Sequence, residues 1–508
     1  MQQVVRYLPE TILGYGSVMP FAGLTGGQSP PRGHAAPIRV ARRGGLKVMA
    51  DLETLFRQIP IRSGMTLSFH HHLRNGDGVV NAVLATAAKL GIKDLTLALS
   101  AVYPVHAPLV DHMRAGTVTA LDTDYISGPV AAAISHGILA QPVIMRTHGG
   151  RARAIEAGQR QIDVAFSAAP TADTQGNLTG VSGPNACGAL GYAMPDAAHA
   201  DWVVGVTDNL VPYPLAPIPI PQTQVDFVVQ LPSIGDAGGI VSGITRVAQK
   251  PEQMPIAELA AKVIDAAGLI RDGFSFQTGA GGTSLAVTQF VRAMMAERGV
   301  IGSFALGGIT GALVEMLEAG LFRRLLDVQA FDLAAVHSLA TNPNHLEISA
   351  GHYASPWNRG CAVDQLDCVI LGATEIDTNF NVNVTTGSDG VIRGGSGGHS
   401  DAAAGAQVAI VVTPLRRGPW PIVREQVTTV TTPGETIDVL VTDAGVAVNP
   451  KRRDLLEKLT AVDLPLKSIA ELRRLAGEPP QRPATNGQIV AVVEYRNGTI
   501  IDVVRSIN

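Results

Sequence analysis

Residues 273–284 read GFSFQTGAGGTS, and the segment LAVTQFVRAMMAERG follows them directly. The apolar start predicts a strand, the glycines at 279, 281 and 282 predict a loop without side-chain bulk, and the second segment predicts a helix. The loop is neither a P-loop, which needs GxxxxGK[ST], nor a dinucleotide fingerprint, because Ser284 replaces the third glycine. A glycine loop at a helix N-terminus can present N–H groups to an anion, or it can simply form a tight turn.

The same order of elements occurs earlier in the chain, in GMTLSFHHHLRNGDGVVNAVLATAAKLG from Gly64, which matches the segment from Gly273. A second pair of similar segments is VAFSAAPTADTQGNLTG from Val164 and VILGATEIDTNFNVNVTTG from Val369. In both members of this pair a valine-rich start precedes an acidic turn residue and then Asn and Thr. The two spacings are nearly equal, which indicates a duplicated domain.

Strands alternate with helices within each half, and this alternation predicts parallel βαβ units in open sheets. We expect an α/β protein with an extended N-terminal arm over residues 1–46 and two tandem domains over residues 47–240 and 241–508. Near the C-terminus, Asn497-Gly498 lies between two alternating strands in VAVVEYRNGTIIDVV. This dipeptide predicts a type I′ hairpin, which we expect to be a short β appendage of the second domain.

Composition excludes several classes of protein. The chain has 508 residues, of which 46% are hydrophobic, so it is too long for one compact core. A formal charge of −4 gives no drive toward nucleic acid. The three cysteines form no CxxC pair, which argues for a reducing compartment and against a disulfide framework or a zinc site. No apolar run is long enough to span a bilayer, so we expect a cytoplasmic protein without membrane, nucleic-acid or metal partners.

A second and denser glycine cluster lies in GVIRGGSGGHSDAAAGAQ, from Gly390. Four glycines within five residues are costly to order, and ordinary turns use one or two. The cluster therefore predicts N–H groups that face a negative charge such as an oxyanion. A flexible linker is the alternative, but strand-like residues and a predicted helix lie directly on either side.

Two polar segments follow predicted strands of the first half. Residues 70–76 read HHHLRNG, and three adjacent histidines cannot all point one way on a strand, so a metal site is poorly supported. Their donors suit a small polyanion, although exposed loop histidines are an equal alternative. Residues 146–153 read RTHGGRAR, which can grip carboxylates or can begin a helix with a solvated face.

Together, GMTLSFHHHLRNGDGVVN, FSAAPTADTQGNLTG, FSFQTGAGGTSLAV, LGGITG and IRGGSGGHSDAA resemble the citrate lyase α subunits, from about residue 5 to the end. The resemblance implies two tandem coenzyme A transferase-like domains of the NagB/RpiA type. It implies a transferase that exchanges the acetyl group of an acetyl thioester for citrate, giving a citryl thioester and acetate.

The resemblance also implies the partners. A β subunit cleaves the citryl thioester, and a γ subunit, the acyl carrier, bears a phosphopantetheine-type arm that free acetyl-CoA can replace. The α subunit itself binds no cofactor in this scheme, and we expect a homo-oligomer within a larger complex.

Candidate roles follow for three groups of residues. The candidate catalytic residues, with Gly397 and Gly398 expected to donate to an oxyanion, are Gly397, Gly398 and His399. The candidate citrate-binding residues are His70, His71, His72, Arg74, Asn75, Arg146 and His148. The candidate contacts of the thioester or coenzyme A are Gly279, Ala280, Gly281, Gly282, Gly394, Gly395 and Ser396.

The second half also resembles, more distantly, acetyl-CoA hydrolases and acetate-type CoA transferases, in which a glutamate attacks the thioester. Residues 301–311, IGSFALGGITG, hold no glutamate in the corresponding place, and Glu315 follows in a helical pattern on the expected surface. We therefore expect citrate to attack the thioester directly, through a mixed anhydride. The alternatives are a CoA transferase or hydrolase that acts on another acid, such as citramalate, and a non-catalytic subunit that docks the carrier.

Overall fold

The computed structural model describes residues 8–23, 45–241, 253–279, 281–480 and 487–507. Two large sheets form its centre. In spatial order the strands of the first sheet are Ile500–Arg505, Ile489–Glu494, Val143–Met145, Val118–Thr123, Leu95–Leu99, Thr66–Phe69, Val164–Ala168, Trp202–Thr207, Phe227–Gln230 and Val48–Met49. Those of the second are His345–Glu347, Phe322–Ala330, Gly302–Ile309, Ser275–Thr278, Cys368–Leu371, Val408–Val412, Val439–Thr442 and Gly445–Val448.

The two sheets repeat one topology. Counted from Thr66–Phe69 and from Ser275–Thr278, the next three strands follow in order on one side, and the next three follow on the other. Within each seven-strand set every neighbouring pair is parallel. Parallel strands carry their active residues at the carboxyl edge, so each half has one such edge.

Helices cover the sheets, and the strands are buried on both faces, as valine-rich parallel strands require. The helices of the first half are Leu52–Gln58, Val79–Lys89, Leu109–Arg114, Pro129–Ser135, His148–Glu156 and Ala193–His199. Those of the second half are Met254–Ala266, Gly282–Arg298, Gly311–Glu318, Leu333–Thr341, Ala350–Ala354, His399–Gly405, Arg453–Thr460 and Ile469–Ala476. The 3₁₀ helices are Arg74–Gly76, Pro104–His106, Ala237–Ile240, Ala362–Gln365 and Gly434–Thr436. Of the described helices, none is both long and apolar enough to cross a membrane.

A small three-stranded sheet beside each large one repeats the acidic turn noted in the sequence. The first small sheet is Leu178–Thr179, Thr171–Asp173 and Leu210–Val211, and the second is Val382–Asn383, Glu375–Asp377 and Val423–Arg424. Asp173 accepts hydrogen bonds from the N–H of Asn177 at 3.1 Å and from its side-chain amide at 2.7 Å. Asp377 accepts the same pair from Asn381, at 3.0 and 3.1 Å. In both halves, therefore, the aspartate of the duplicated motif stabilises the turn by bonding to the asparagine four residues later.

The C-terminal hairpin departs from the prediction in two ways. Its strand Ile489–Glu494 pairs in parallel with Val143–Met145, so the hairpin extends the first sheet, and its placement in the second domain is wrong. The turn is not type I′, because Asn497 has no positive φ. Gly498 takes the left-handed position, with φ of 88°, in a three-residue loop closed by a 2.7 Å bond from the N–H of Tyr495 to the carbonyl of Thr499.

The N-terminal arm is described over residues 8–23 and 45–46. The strands Thr11–Ile12 and Gly16–Ser17 pair with each other. The N–H of Ile500 then donates to the carbonyl of Met19 at 2.7 Å, so this part of the arm lies against the C-terminal hairpin. The remainder of the arm lies outside the described residues, and the domain boundary at 240/241 stays a prediction.

Candidate active site

The second glycine cluster lies against the carboxyl edge of the first sheet. The N–H of Ile126 donates to the carbonyl of Gly394 at 3.2 Å, and the N–H of Gly397 donates to the carbonyl of Asp124 at 3.2 Å. The N–H of His148 donates to the carbonyl of Gly397 at 2.8 Å. The halves therefore meet here, with glycines of the second half on one side and strand ends of the first half on the other, and we refer to this interface as the cleft.

An equivalent bond joins the halves at the counterpart position. The N–H of Ala350 donates to the carbonyl of Gly191 at 2.8 Å, as the N–H of His148 does to the carbonyl of Gly397. Ala350 begins a helix in the second half, as His148 does in the first. The halves thus exchange similar contacts, but only the position in the first half carries an imidazole.

His148 has one ring nitrogen fixed and one open. Nδ1 lies 2.8 Å from Oδ2 of Asp124, while Nε2 has no hydrogen-bond partner among the described residues. A Cβ atom on Gly397 would stand 3.3 Å from Nε2, so the open nitrogen faces the glycine cluster. The other oxygen of Asp124, Oδ1, is buried without a partner in the described chain. Burial raises the pKa of Asp124 to about 6, although the hydrogen bond with His148 opposes that rise.

Aromatic rings continue the wall of the cleft. The ring of Tyr192 lies 4.4 Å from that of His148 and 4.7 Å from that of His71, measured between centroids. Nδ1 of His71 lies 2.5 Å from Oγ of Ser100, and burial lowers the pKa of His71 well below its ordinary value. His71 therefore lies at the predicted site, as a neutral imidazole.

The other two histidines of the triplet point elsewhere, and their citrate-binding role is withdrawn. Nε2 of His70 lies 2.8 Å from the carbonyl oxygen of Ala168, and burial lowers its pKa to about 3. Nε2 of His72 lies 3.3 Å from the carbonyl oxygen of Ile234 and 3.6 Å from Asp77. The ring centroids lie 5.3 Å apart, but each imidazole holds a different segment of backbone. Among the described residues no group of three or more His, Cys, Asp or Glu side chains could hold a metal ion.

Arg74 stays a candidate for binding an anion. Its φ of 54° is left-handed, a costly conformation for a residue with a side chain. The guanidinium donates from Nε to the hydroxyl of Tyr103 at 3.2 Å and from Nη1 to the carbonyl of Ile240 at 3.1 Å. Its neighbour Asn75 accepts a bond from the N–H of Val105 at 3.1 Å, so that side chain supports the loop.

The contacts of Arg146 argue against its predicted role as a citrate ligand, because its charge is already matched inside the fold. Nε donates to both oxygens of Asp122, at 2.9 and 3.0 Å, and Nη1 donates to Glu494 on the C-terminal hairpin. Only 7% of the side chain is exposed. Arg146 therefore ties the edge of the first sheet to the hairpin.

The glycine density has a steric cause in addition to any electrostatic one. A Cβ atom on Gly395 would stand 2.3 Å from the carbonyl oxygen of Asp124, and one on Gly398 would stand 2.3 Å from the hydroxyl of Tyr353. The N–H of Gly397 is committed to Asp124, which removes Gly397 as an oxyanion donor. For the N–H of Gly398 no acceptor is found among the described residues, so its role as a donor stays a prediction.

His399 is unsuited to acid–base chemistry, which corrects its assignment as a catalytic residue. Nδ1 lies 2.7 Å from the hydroxyl of Thr432, and Nε2 lies 2.9 Å from the carbonyl of Gly372. Burial lowers the pKa of His399 to about 4. The hydroxyl of Ser396 lies 3.1 Å from that of Ser400, so it supports the first turn of the helix.

The first glycine loop lies at the carboxyl edge of the second sheet. The N–H of Gly279 donates to the carbonyl of Ile370 at 2.6 Å, and no side chain caps the helix that begins at Gly282. Oγ of Ser284 is buried without a partner in the described chain. Ala280 lies outside the described residues. The loop thus offers donors, and its role toward a thioester stays a prediction.

Sequence reasoning missed Asp124, Tyr192, Tyr353 and Gln277. Gln277 donates to the hydroxyl of Tyr353 at 2.8 Å, beneath Gly398. Asp124 follows a predicted strand directly, in the segment TVTALDTD, and this position was the available signal. For Tyr192 and Tyr353 the sequence offers no signal, because their place at or within the short helices Ala193–His199 and Ala350–Ala354 does not show that the other half lies against them.

The comparisons with known proteins agree on one family. The model of the family described as "Citrate lyase, alpha subunit (CitF)" matches residues 45–507. The citrate lyase alpha chain of Haemophilus influenzae is 50% identical over 462 residues, which cover 90% of this chain and 92% of that one. A solved structure described as an alpha subunit of citrate lyase from Streptococcus mutans, in complex with citrate, is 48% identical, with a TM-score of 0.91 and 96% of each chain covered.

A third comparison bears on the fold alone. The alpha subunit of a malonate decarboxylase from Acinetobacter baumannii superposes with a TM-score of 0.64 at 15% identity, covering 85% of this chain and 88% of that one.

Proposed function

The chain belongs to the citrate lyase alpha-subunit family, and we propose that it is the transferase that exchanges the acetyl group of an acetyl thioester for citrate. The products are a citryl thioester and acetate. The related Streptococcus mutans protein is described with citrate, which supports citrate as the acceptor acid. The thioester is that of a carrier subunit with a phosphopantetheine-type arm, or acetyl-CoA in its place, and a β subunit consumes the citryl product.

One observation carries this proposal: the segment Gly394–Gly397 is hydrogen-bonded to Asp124, Ile126 and His148 at the edge of the other half. An exchange between two acyl groups needs a thioester and a free acid within bonding distance of each other. A cleft built by both halves can hold one substrate on each side. Orientation of this kind contributes several kcal/mol, roughly 7–11 kcal/mol in the best cases, to lowering the barrier.

The attacking group is a carboxylate of citrate. In residues 301–311, where related enzymes have a glutamate, a Cβ atom on Gly308 would stand 2.1 Å from the ring of Phe331. A Cβ atom on Gly307 would stand 3.0 Å from the side chain of Gln277. Glu315 is exposed and pairs with Arg292. These contacts support a direct route, in which citrate attacks the acetyl carbon and a mixed acetyl–citryl anhydride forms.

The chemistry of the two acids explains why the site is built from amides and cations. A free carboxyl group with a pKa of about 4 is already ionised at neutral pH, so no base is needed to make it a nucleophile. The protein must hold the anions together and stabilise the tetrahedral oxyanion. Arg74 is the cation proposed for citrate, and the N–H of Gly398 and the uncapped helix start at Gly282 are proposed donors.

The test is an exchange assay with the purified chain, acetyl-CoA and a panel of acids that includes citrate and citramalate. Citrate-dependent release of acetate with formation of citryl-CoA is expected. Preference for another acid would move the assignment to a different CoA transferase, acetate release without an acid acceptor would indicate a hydrolase, and binding of carrier without acetate release would indicate a docking subunit.

A second assay tests the route. Borohydride reduction after treatment with acetyl-CoA should leave the chain active, because the direct route forms no thioester between a protein carboxyl group and coenzyme A. Inactivation with a reduced carboxyl side chain, for example at Asp124, would establish a covalent intermediate instead.

A further inference from the structure

Among the reacting groups of the proposed exchange, only the sulfur changes its protonation near neutral pH. Citrate and acetate enter and leave as anions, whereas a thiol has a pKa of about 8.5. When the C–S bond breaks, the thiolate must be stabilised or protonated, and it must be a thiolate again to attack the anhydride. A group that lends and recovers one proton would serve both steps.

His148 has the geometry for this task. Its Nε2 faces Gly397 and has no partner among the described residues, and 15% of the side chain is exposed. Its Nδ1 lies 2.8 Å from the buried carboxylate of Asp124, which fixes the orientation of the ring and leaves Nε2 as the nitrogen that can exchange a proton with a ligand. The backbone of His148 is bonded to Gly397, so the imidazole and the glycine cluster are positioned together.

The other histidines at the cleft lack one of these features. Both nitrogens of His399 are engaged, and Nε2 of His70 is bound to a carbonyl oxygen. Nδ1 of His71 contacts the hydroxyl of Ser100, and burial, followed by the nearby His148 and Arg74, lowers the pKa of His71.

We propose that His148 is the acid–base residue that protonates and deprotonates the pantetheine-type thiol, and that Asp124 is its positioning residue. This inference rests on the proposed function. In the first step a citrate oxygen bonds to the acetyl carbon, the C–S bond breaks, and the proton on Nε2 passes to sulfur. In the second step Nε2 takes the proton back as sulfur bonds to the citryl carbon, and the C–O bond to acetate breaks. No net proton is consumed.

The charged and titratable groups around this pair set its response to pH. Asp122 lies on the strand before Asp124, and Arg151 lies on the helix of His148. The groups that interact with the pair from other elements are His71, Tyr192 and Asp401. Arg151 favours ionised Asp124, while Asp122 opposes it. With burial raising the pKa of Asp124 to about 6, protonation of this carboxyl should end its support of the imidazolium in mildly acidic buffer.

The decisive experiment varies the leaving group. His148→Gln should lower kcat for citrate-dependent thiol release from acetyl-CoA by about 10²–10³-fold. With an acetyl ester of an aromatic thiol, whose thiolate leaves without a proton, the same variant should stay within about threefold of the wild-type protein, since acid catalysis of departure is no longer required. Equal losses with both thioesters, or no loss with acetyl-CoA, would overturn the proposal. If the wild-type protein releases no thiol in the presence of citrate, the proposed function itself has failed.

Two further variants test whether the loss of activity arises from misfolding or from the replacement of any histidine. His148→Ala, checked for an unchanged Tm and for citrate binding by calorimetry, should regain activity when free imidazole is added, and absence of rescue in a folded variant counts against the role. His136→Gln changes an exposed histidine bonded to the carbonyl of Ala132 and should leave the rates unchanged.

For Asp124→Asn, kcat should fall with an unchanged KM for citrate, and the decline of kcat below about pH 6 should disappear. A variant that loses activity but keeps the wild-type pH profile would show that Asp124 has only a structural role.

Discussion

The carbonyl oxygen of Gly397 accepts a 2.8 Å hydrogen bond from the N–H of His148, and these two residues belong to different halves of the chain. The bond joins a glycine loop to the first residue of a helix whose side chain opens into the cleft. Any movement of the loop therefore moves the imidazole as well. Substitutions at residues that maintain this junction should change stability, whereas substitutions at residues that contact a substrate should change KM.

Gly395→Ala should disrupt the junction. Its Cβ atom would stand 2.3 Å from the carbonyl oxygen of Asp124, so the loop and the strand end must separate. We expect a loss of about 1–3 kcal/mol in the free energy of unfolding and a loss of most transferase activity. Thermal denaturation and the exchange assay measure the two effects, and an unchanged Tm with full activity would contradict this packing.

Gly281→Ala should leave stability unchanged and should alter the kinetics. Its φ of −71° suits alanine, and its Cβ atom would meet only Oγ of Ser284 at 3.7 Å, so the fold should keep its Tm. If the loop approaches the thioester, KM for acetyl-CoA should rise about tenfold while KM for citrate stays constant, because one methyl group obstructs the ligand at a cost of roughly 1–3 kcal/mol. A KM for acetyl-CoA equal to that of the wild-type protein would show that the thioester binds elsewhere.

Arg74→Gly should weaken citrate binding without destabilising the loop. Glycine adopts the left-handed φ of 54° at low cost, which offsets part of the lost guanidinium contacts. A charge-assisted contact is worth about 1.5–3 kcal/mol, so we expect KM for citrate to rise roughly 10–100-fold. The control is Arg323→Gln, at an exposed position near the start of the strand Phe322–Ala330, which should leave KM for citrate unchanged. A constant KM in the glycine variant would remove Arg74 from the site.

Arg146→Gln should affect stability and leave citrate binding intact. The substitution removes one cation from the buried Asp122 and Glu494, which keep Arg160 at 2.7 Å and Arg153 at 3.8 Å. We therefore expect a cost of about 1–3 kcal/mol, below that of a wholly unpaired buried charge. Chemical denaturation should show the loss, and calorimetry should show unchanged affinity for citrate at a temperature where the variant is folded. Weaker citrate binding by a folded variant would return Arg146 to the substrate site.

Stability should depend on pH through Asp124. Folding raises its pKa from 3.8 to about 6, so between these values the folded state binds more protons than the unfolded state. Its contribution to stability is therefore complete below about pH 4 and is lost as the pH rises through about 6. The unfolding free energy of the wild type, relative to that of Asp124→Asn, should therefore be higher at pH 4.5 than at pH 7. A difference that does not change with pH would contradict the assigned pKa.

The sequence predicted the strand ends that meet at the cleft, because glycine loops and polar residues directly after apolar strands are local signals. It could not distinguish Arg146, which pairs with two carboxylates, from Arg74, whose guanidinium contacts a hydroxyl and a carbonyl oxygen and no carboxylate that the structure describes. Nor could it separate His71 from His70 and His72. Alternation along an extended segment predicts that neighbouring side chains point in opposite directions, but it does not predict which part of the protein each side chain contacts. The steric demand at Gly395 arises from contact with the other half, and no local pattern reports it.

The pairing of Ile489–Glu494 with Val143–Met145 has a consequence for biosynthesis. The ribosome makes these edge residues after every strand of the second sheet, so the first sheet cannot acquire this border until both halves have been translated. Until then the Val143–Met145 edge has unpaired backbone groups, and Arg146 lacks its glutamate. A fragment that ends before residue 489 should therefore aggregate or require a chaperone, even though every earlier strand of that sheet is present.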